Sequence, residues 1–154
     1  MIVNTKRFGE IKLIDNEKQI ITFISPILGF SNLSKYILFQ EESGAFEYLQ
    51  SIEDEDLTFV IVDPFIFFSD YEFQLDSHWI DVLGIENDQD VSVRVIVTVR
   101  SANDITCNLK APLLMNEQNY LAAQVVLDNR RYSTRHSLVV EGKGESEHVD
   151  PIEK

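Results

Sequence analysis

Residues 91–99, with the sequence VSVRVIVTV, carry the clearest structural signal in this chain. Valine stands at every second position, and the positions between hold mostly polar or charged side chains. Because successive side chains of a β-strand point to opposite faces, this alternation predicts a strand with one buried face and one mostly wet face. The polar run 101–104 is typical of a turn, and 105–109 reads as the returning strand.

Short runs of β-branched and aromatic residues extend this pattern outward in both directions. They predict further strands at 18–24, 35–39, 46–49, 57–62 and 121–127. One short helix is expected, since Trp79, Ile80 and Leu83 recur at helical spacing between Asp76 as N-cap and Gly84 as C-cap.

Many short strands with little helix predict an all-β fold, a closed or partly open antiparallel β-barrel-like single domain with one short helix. We expect this domain to cover residues 1–138. The polar remainder, 139–154, contains two glycines and predicts a disordered C-terminal tail.

The charge distribution is uneven along the chain, whose formal net charge is −13. Residues 36–93 hold 15 acids and no Lys or Arg, whereas 1–35 hold three acids and five bases and 94–154 hold eight of each. An acidic sector repels nucleic acid and anionic lipid and attracts basic proteins, so we expect neither direct nucleic-acid binding nor membrane binding. The alternative is that the protein is acidic only for solubility, and charge alone leaves it open.

The sequence lacks the usual signals of secreted, membrane-spanning, metal-binding and catalytic proteins. The first residues lack the apolar core of a signal peptide, and the longest apolar run, 57–68, is interrupted by Asp63 and Pro64, so a cytoplasmic location is expected. Three scattered histidines and the single Cys107 match no metal-ligand or catalytic spacing. We expect no enzyme activity, no metal and no cofactor. The alternative is a calcium-binding or hydrolytic β-barrel that uses the carboxylate runs 53–56 and 86–90.

Aromatic residues concentrate in the same region that lacks cations. Eleven of the 16 lie between Tyr36 and Trp79, and five of these fall within 63–73. If 63–73 were extended, the adjacent rings of Phe67 and Phe68 would face opposite sides, so one or two rings are expected at the surface. An apolar patch ringed by acids suits protein binding. The candidate partner-binding residues are Asp63, Asp70 and Glu72 as charge partners and Phe65 and Tyr71 as apolar anchors. Burial of all the rings under the helix is the alternative.

The chain resembles the flagellar assembly factor FliW family in an ordered set of segments. Residues 23–30, FISPILGF, are similar to the family's F…GLPGF segment, although Ser25-Pro26-Ile27 departs from its usual small-Leu-Pro. Ala123 also stands where a glycine commonly precedes Gln124. The further matching segments are 49–51, 57–65, 70–73, 93–99, 108–116, 124–127 and 132–136.

The resemblance implies a cytoplasmic β-barrel-like protein that binds two partners in turn. One partner is flagellin, which the protein holds as a chaperone before export. The other is the translational repressor CsrA, a small RNA-binding dimer that cannot repress flagellin mRNA while it is bound. Accumulating flagellin would take the protein from CsrA and restore repression.

Overall fold

The computed structural model describes residues 2–12, 20–40 and 44–138 of the chain, and strands are their main regular secondary structure. The strands are β1 (Ile2–Thr5), β2 (Gly9–Lys12), β3 (Ile20–Ser25), β4 (Lys35–Gln40), β5 (Glu47–Ser51), β6 (Thr58–Val62), β7 (Val91–Ser101), β8 (Asp104–Cys107), β9 (Leu113–Asn116), β10 (Leu121–Gln124) and β11 (His136–Ser137). The helices among the described residues are α1 (Pro64–Phe67) and α2 (Ser77–Leu83), and a 3₁₀ turn covers Asp88–Asp90.

Seven strands form a closed ring in the order β7-β6-β5-β4-β3-β10-β9, and the ring closes because β9 also pairs with β7. β8 and β11 extend from the far part of β7, and β1 and β2 form a separate hairpin. The predicted all-β, barrel-like fold is therefore confirmed. The prediction of an antiparallel sheet holds for every pair except β3 with β10, which run parallel.

β7 is the strand that joins the two parts of the sheet. Its residues 91–94 pair with β9, its residues 95–97 pair with β6, and its last residues pair with β8. Val95 and Val97 are buried as the alternation predicts, but Val99 is 54% exposed. Val99 differs because it lies in the β7–β8 hairpin, beyond the part of β7 that pairs with β6.

α2 begins and ends where the sequence predicts. The side chain of Asp76 accepts a hydrogen bond from the backbone N–H of His78 at 3.0 Å, and Gly84 closes the helix with a positive φ of 66°. Leu83 is fully buried and anchors the helix on the largest of the three core clusters.

α1 is a second helix in addition to the one predicted, and it lies in the aromatic segment 63–73. Asp63 caps it by accepting from the backbone N–H of Phe65 at 2.9 Å, and Pro64 occupies its first position. This pairing of a capping side chain with an N-terminal proline starts a helix. Phe67 and Phe68 consequently both pack against the core, whereas Phe65 and Ile66 stay exposed.

The remaining differences concern strand ends and short strands. The predicted strand 121–127 ends at Gln124, and β1, β2, β9 and β11 were not predicted. Residues 18–19 of the first predicted strand and the predicted tail, 139–154, lie outside the described residues. No helix in the described part of the chain is long and apolar enough to cross a membrane.

Candidate protein-docking groove

An open groove of about 420 Å³ lies where β6 has ended and the chain passes through α1 and α2 before it returns as β7. We call it the aromatic groove. Its apolar lining residues are Phe65, Tyr71, Phe73, Leu75, Ile80, Ile85, Val91, Val93 and Leu114. Two carboxylates, Glu72 and Asp88, also line it, so the groove combines apolar walls with negative charge and has no Lys or Arg in its lining.

Three of the five residues predicted from the sequence meet in this groove. Phe65 is 44% exposed, and its ring centroid lies 5.6 Å from that of Tyr71. Glu72 is exposed, and its backbone N–H donates to the Tyr132 hydroxyl at 3.1 Å. Glu72 therefore shares the groove lining with an exposed aromatic ring, and this hydrogen bond holds its backbone in place.

Tyr71 forms the floor of the groove rather than a projecting anchor. It is only 3% exposed, and its hydroxyl donates to the backbone carbonyl of Leu109 at 2.8 Å. Burial raises the pKa of Tyr71 well above its ordinary value, with smaller contributions from Tyr132 and Cys107, so the phenol stays neutral and bonded.

Asp63 lies outside the groove. Besides capping α1, it lines a smaller cavity of about 270 Å³ together with Ile66, which is 68% exposed, and the ion pair between Arg94 and Glu47. That pair is largely buried, with Arg94 Nε 2.5 Å from Glu47 Oε1. α1 thus presents Phe65 to the aromatic groove and Ile66 to the smaller cavity.

Asp70 also lies outside the groove, beside a cation from a distant part of the chain. Its carboxylate is 3.6 Å from the guanidinium of Arg131, which lies over the ring of Tyr132. Both members of the pair are exposed, and such pairs contribute roughly 0–1 kcal/mol. Asp70 is therefore partly neutralised, whereas Glu72 makes no ion pair within the described residues.

The acidic block seen in the sequence is divided in space. Residues 53–56 connect β5 to β6, whereas 63–90 follow the other end of β6. β6 has five residues. At roughly 3.3 Å per residue, the four steps from its first to its last residue place its ends roughly 13 Å apart. The part around the groove, 63–90, carries eight acids and no Lys or Arg.

Two of the four carboxylates in the 53–56 turn accept backbone hydrogen bonds. Glu53 accepts hydrogen bonds from the N–H groups of Ser34 and Lys35 at 2.8 and 3.0 Å, and Asp54 accepts from that of Asp56. The described residues hold no group of three or more His, Cys, Asp or Glu that could bind a metal ion.

Cys107 and His136 both have structural roles. Cys107 is buried, and its burial raises the pKa of the thiol to about 12, so the reactive thiolate does not form at neutral pH. His136 accepts a hydrogen bond at Nε2 from the backbone N–H of Ser133 at 2.9 Å, and burial lowers its pKa. Neither residue lines the aromatic groove.

The groove residues that α2 and β7 contribute could not be predicted from the sequence. Ile80 was assigned to the helix and Val91 and Val93 to the strand, but nothing in either pattern places them beside Phe65. Leu75, Ile85 and Asp88 lie in connecting segments without periodicity, so they gave no signal.

Comparison with known proteins decides the family. The model of the FliW protein family matches residues 2–138. The chain belongs to the FliW family. FliW relatives from Bacillus subtilis and Bacillus pumilus, both named flagellar assembly factor FliW, are 41% and 39% identical over 140 and 142 residues. These matches cover 90% and 91% of this chain and 96% and 97% of the relatives.

The fold agrees with this membership. A crystal structure of the flagellar assembly factor FliW superposes with a TM-score of 0.84 at 38% sequence identity, covering 92% of this chain and 99% of the other. The ring of strands described above is therefore the FliW fold, and the resemblance predicted from the sequence is confirmed.

Proposed function

We propose that this protein is a cytoplasmic, non-catalytic flagellar assembly factor that acts by binding two other proteins in turn. The partners are flagellin, which it holds as a chaperone, and the translational repressor CsrA. While CsrA is bound, it cannot repress translation of flagellin mRNA. Newly made flagellin then displaces CsrA, and repression returns until flagellin is exported.

Membership of the FliW family supports the flagellar role. The observation that supports binding as the mode of action is the aromatic groove, whose lining includes exposed Phe65 together with Glu72 and Asp88. Apolar pockets with a polar rim are typical of protein-binding surfaces, because the apolar centre supplies affinity and the charges select the partner.

We assign the CsrA site to the surface that carries Asp63, Phe65, Asp70, Tyr71 and Glu72. An RNA-binding protein presents cations, and the eight acids of 63–90 complement them. Phe65 and Glu72 make the direct contacts, and Tyr71 supports them from below. Asp63 and Asp70 add negative charge on either side, with Asp70 weaker because Arg131 faces it.

A displacement experiment tests this function. The purified protein is mixed with CsrA, the complex is isolated by size-exclusion chromatography, and purified flagellin is added. We expect flagellin to release CsrA and to elute with the protein instead. Failure of the protein to bind either partner, or a stable complex of all three, would contradict a partner switch.

A further inference from the structure

The first residues of β7 have a strand neighbour on one side only. Residues 91–94 pair with β9, but β6 reaches no further along β7 than Val95, which pairs with Val62. After Val62 the chain turns away into α1, so no strand in the described part of the chain lies beside 91–94 on that side.

The alternation of backbone groups identifies which residues face this open edge. The carbonyl of Asp90 accepts from Glu117 on the β9 side, so the backbone groups of Val91 and Val93 point the other way. Two of these four groups have local partners, because the Val91 N–H bonds to Asp88 and the Val93 carbonyl accepts from Arg94. The Val91 carbonyl and the Val93 N–H are left facing the open edge.

This edge borders the aromatic groove, which Val91 and Val93 line. Phe73 and Leu75 line it as well, and residues 73–75 form no backbone hydrogen bond within the described residues. An open strand edge is a template for pairing with another chain, and backbone groups that become buried need partners. The groove therefore lies where one more strand could pair with the first residues of β7.

We propose that the aromatic groove takes an extended segment of a partner protein, which adds to β7 as a further strand. The segment would bond to the Val91 carbonyl and the Val93 N–H and place alternate apolar side chains in the groove. Its flanking residues would be Lys or Arg, because Glu72 and Asp88 line the groove and no cation does. This inference rests on the proposed function for its partner and specifies how that partner binds.

Two synthetic peptides test this mode of binding. The first, Lys-Lys-Val-Thr-Val-Thr-Val-Lys-Lys, has the required alternation and charge. The second is N-methylated at the three valines and the two threonines, so that it keeps the side chains but loses the main-chain donors along both edges. We expect the first to bind and the second to bind roughly tenfold more weakly, since main-chain hydrogen bonds are lost. Hydrogen exchange followed by NMR should show slower exchange of the Val93 amide with the first peptide.

A pair of proline variants of this protein gives an independent test. Val93→Pro removes the donor at the open edge, where proline is tolerated because no ladder bond is lost. Val99→Pro is the matched control, since it lies on the same strand with the same parity but away from the groove. We expect Val93→Pro to lose peptide binding and Val99→Pro to keep it. If Val93→Pro does not fold, amide exchange in the unsubstituted protein decides the question.

Several results would overturn the proposal. They are equal binding of the two peptides, no binding of either, or an unchanged Val93 amide, which would fit a helical or side-chain-only ligand. A dimer in sedimentation experiments that already protects the Val93 amide would assign the edge to a second copy of this chain.

Parallel titrations with CsrA and flagellin distinguish failure of the added-strand proposal from failure of the proposed function. Binding of these proteins without Val93 protection defeats only the added strand, whereas peptide binding at β7 without binding of either protein defeats only the proposed function.

Discussion

At the scale of single residues, two buried tyrosines show how one hydrogen bond determines whether a buried hydroxyl lowers or supports the stability of the fold. Tyr36 is completely buried, and its hydroxyl has no partner within the described residues; burial and the charge of Glu53 raise its pKa to about 12. Tyr71 is equally enclosed, but its hydroxyl donates to Leu109. A buried polar group without a partner costs free energy, whereas a bonded one does not.

The first prediction follows from this difference. Tyr36→Phe removes an unpaired hydroxyl and should leave the free energy of unfolding unchanged or raise it by about 1 kcal/mol. Tyr71→Phe, the matched control, leaves the Leu109 carbonyl without its donor and should lower it by about 1–2 kcal/mol. Urea denaturation of both variants measures these changes. A loss of stability in Tyr36→Phe equal to that in Tyr71→Phe would show that the Tyr36 hydroxyl has a partner.

His136 gives a prediction for pH. Burial lowers its pKa in the folded protein, and its Nε2 must be unprotonated to accept from Ser133. The unfolded chain therefore binds more protons than the folded one as the pH falls below about 6.5, the ordinary histidine value. The contribution of His136 to stability is complete above this pH and is lost as the pH falls through the lower folded-state pKa.

Thermal unfolding at a series of pH values from about 5 to 8 tests this sign. We expect the melting temperature to fall toward acid pH more steeply in the unsubstituted protein than in His136→Gln, which cannot take up the proton. Parallel curves for the two proteins would mean that other groups cause the pH dependence.

At the scale of elements, α2 depends on its two caps. Asp76 caps the first turn, and removal of such a cap by alanine costs about 1 kcal/mol. We expect Asp76→Ala to lower the free energy of unfolding by that amount, whereas Asp81→Ala, on an exposed position of the same helix, should change it by less than about 0.5 kcal/mol. Equal effects of the two substitutions in denaturant titrations would contradict the assigned cap.

The elements also show how much of the fold could be predicted from the sequence. β7 and α2 were predicted because their signals are local: a valine alternation in one, and an N-cap, helical spacing and a C-terminal glycine in the other. α1 was missed because its Asp63-Pro64 start lies inside an aromatic run that resembled extended chain. β9 was missed because all four of its residues are buried, and such a strand shows no alternation.

Long-range pairing set the limit on predicting the groove. Phe65, Tyr71 and Glu72 are close in sequence and could be singled out together. Val91 and Leu114 reach the same groove only because β9 pairs with the first half of β7, which no local pattern reveals. For the same reason, the sequence could not show that Glu53 and Glu72, which belong to one acidic block, lie in separate parts of the molecule.

At the scale of the whole molecule, the charge around the groove should accelerate the encounter with a cationic partner. The eight acids of 63–90 are exposed or partly exposed, and the ion pair between Asp70 and Arg131 offsets only one of them. Electrostatic steering weakens once the Debye length falls to about 10 Å or less, near 0.1 M salt.

We therefore predict a salt-dependent association with CsrA. Stopped-flow measurements between about 0.05 and 0.3 M NaCl should show an association rate constant that falls by about tenfold, with a smaller change in dissociation. The charge-reducing variant Glu72→Gln should show a shallower dependence. An association rate constant that does not vary with salt would contradict electrostatic steering.

The measurement that tests the central claim most directly compares charge reversals in the two parts of the acidic block, one before β6 and one after it. Glu72→Lys alters the aromatic groove, and Glu55→Lys makes the same change in the exposed turn between β5 and β6. Calorimetry with CsrA should show that Glu72→Lys weakens binding by about tenfold or more, whereas Glu55→Lys changes it by no more than about twofold. Equal losses in the two variants would mean that net charge rather than the groove governs binding, and unchanged affinity in Glu72→Lys would place the partner elsewhere.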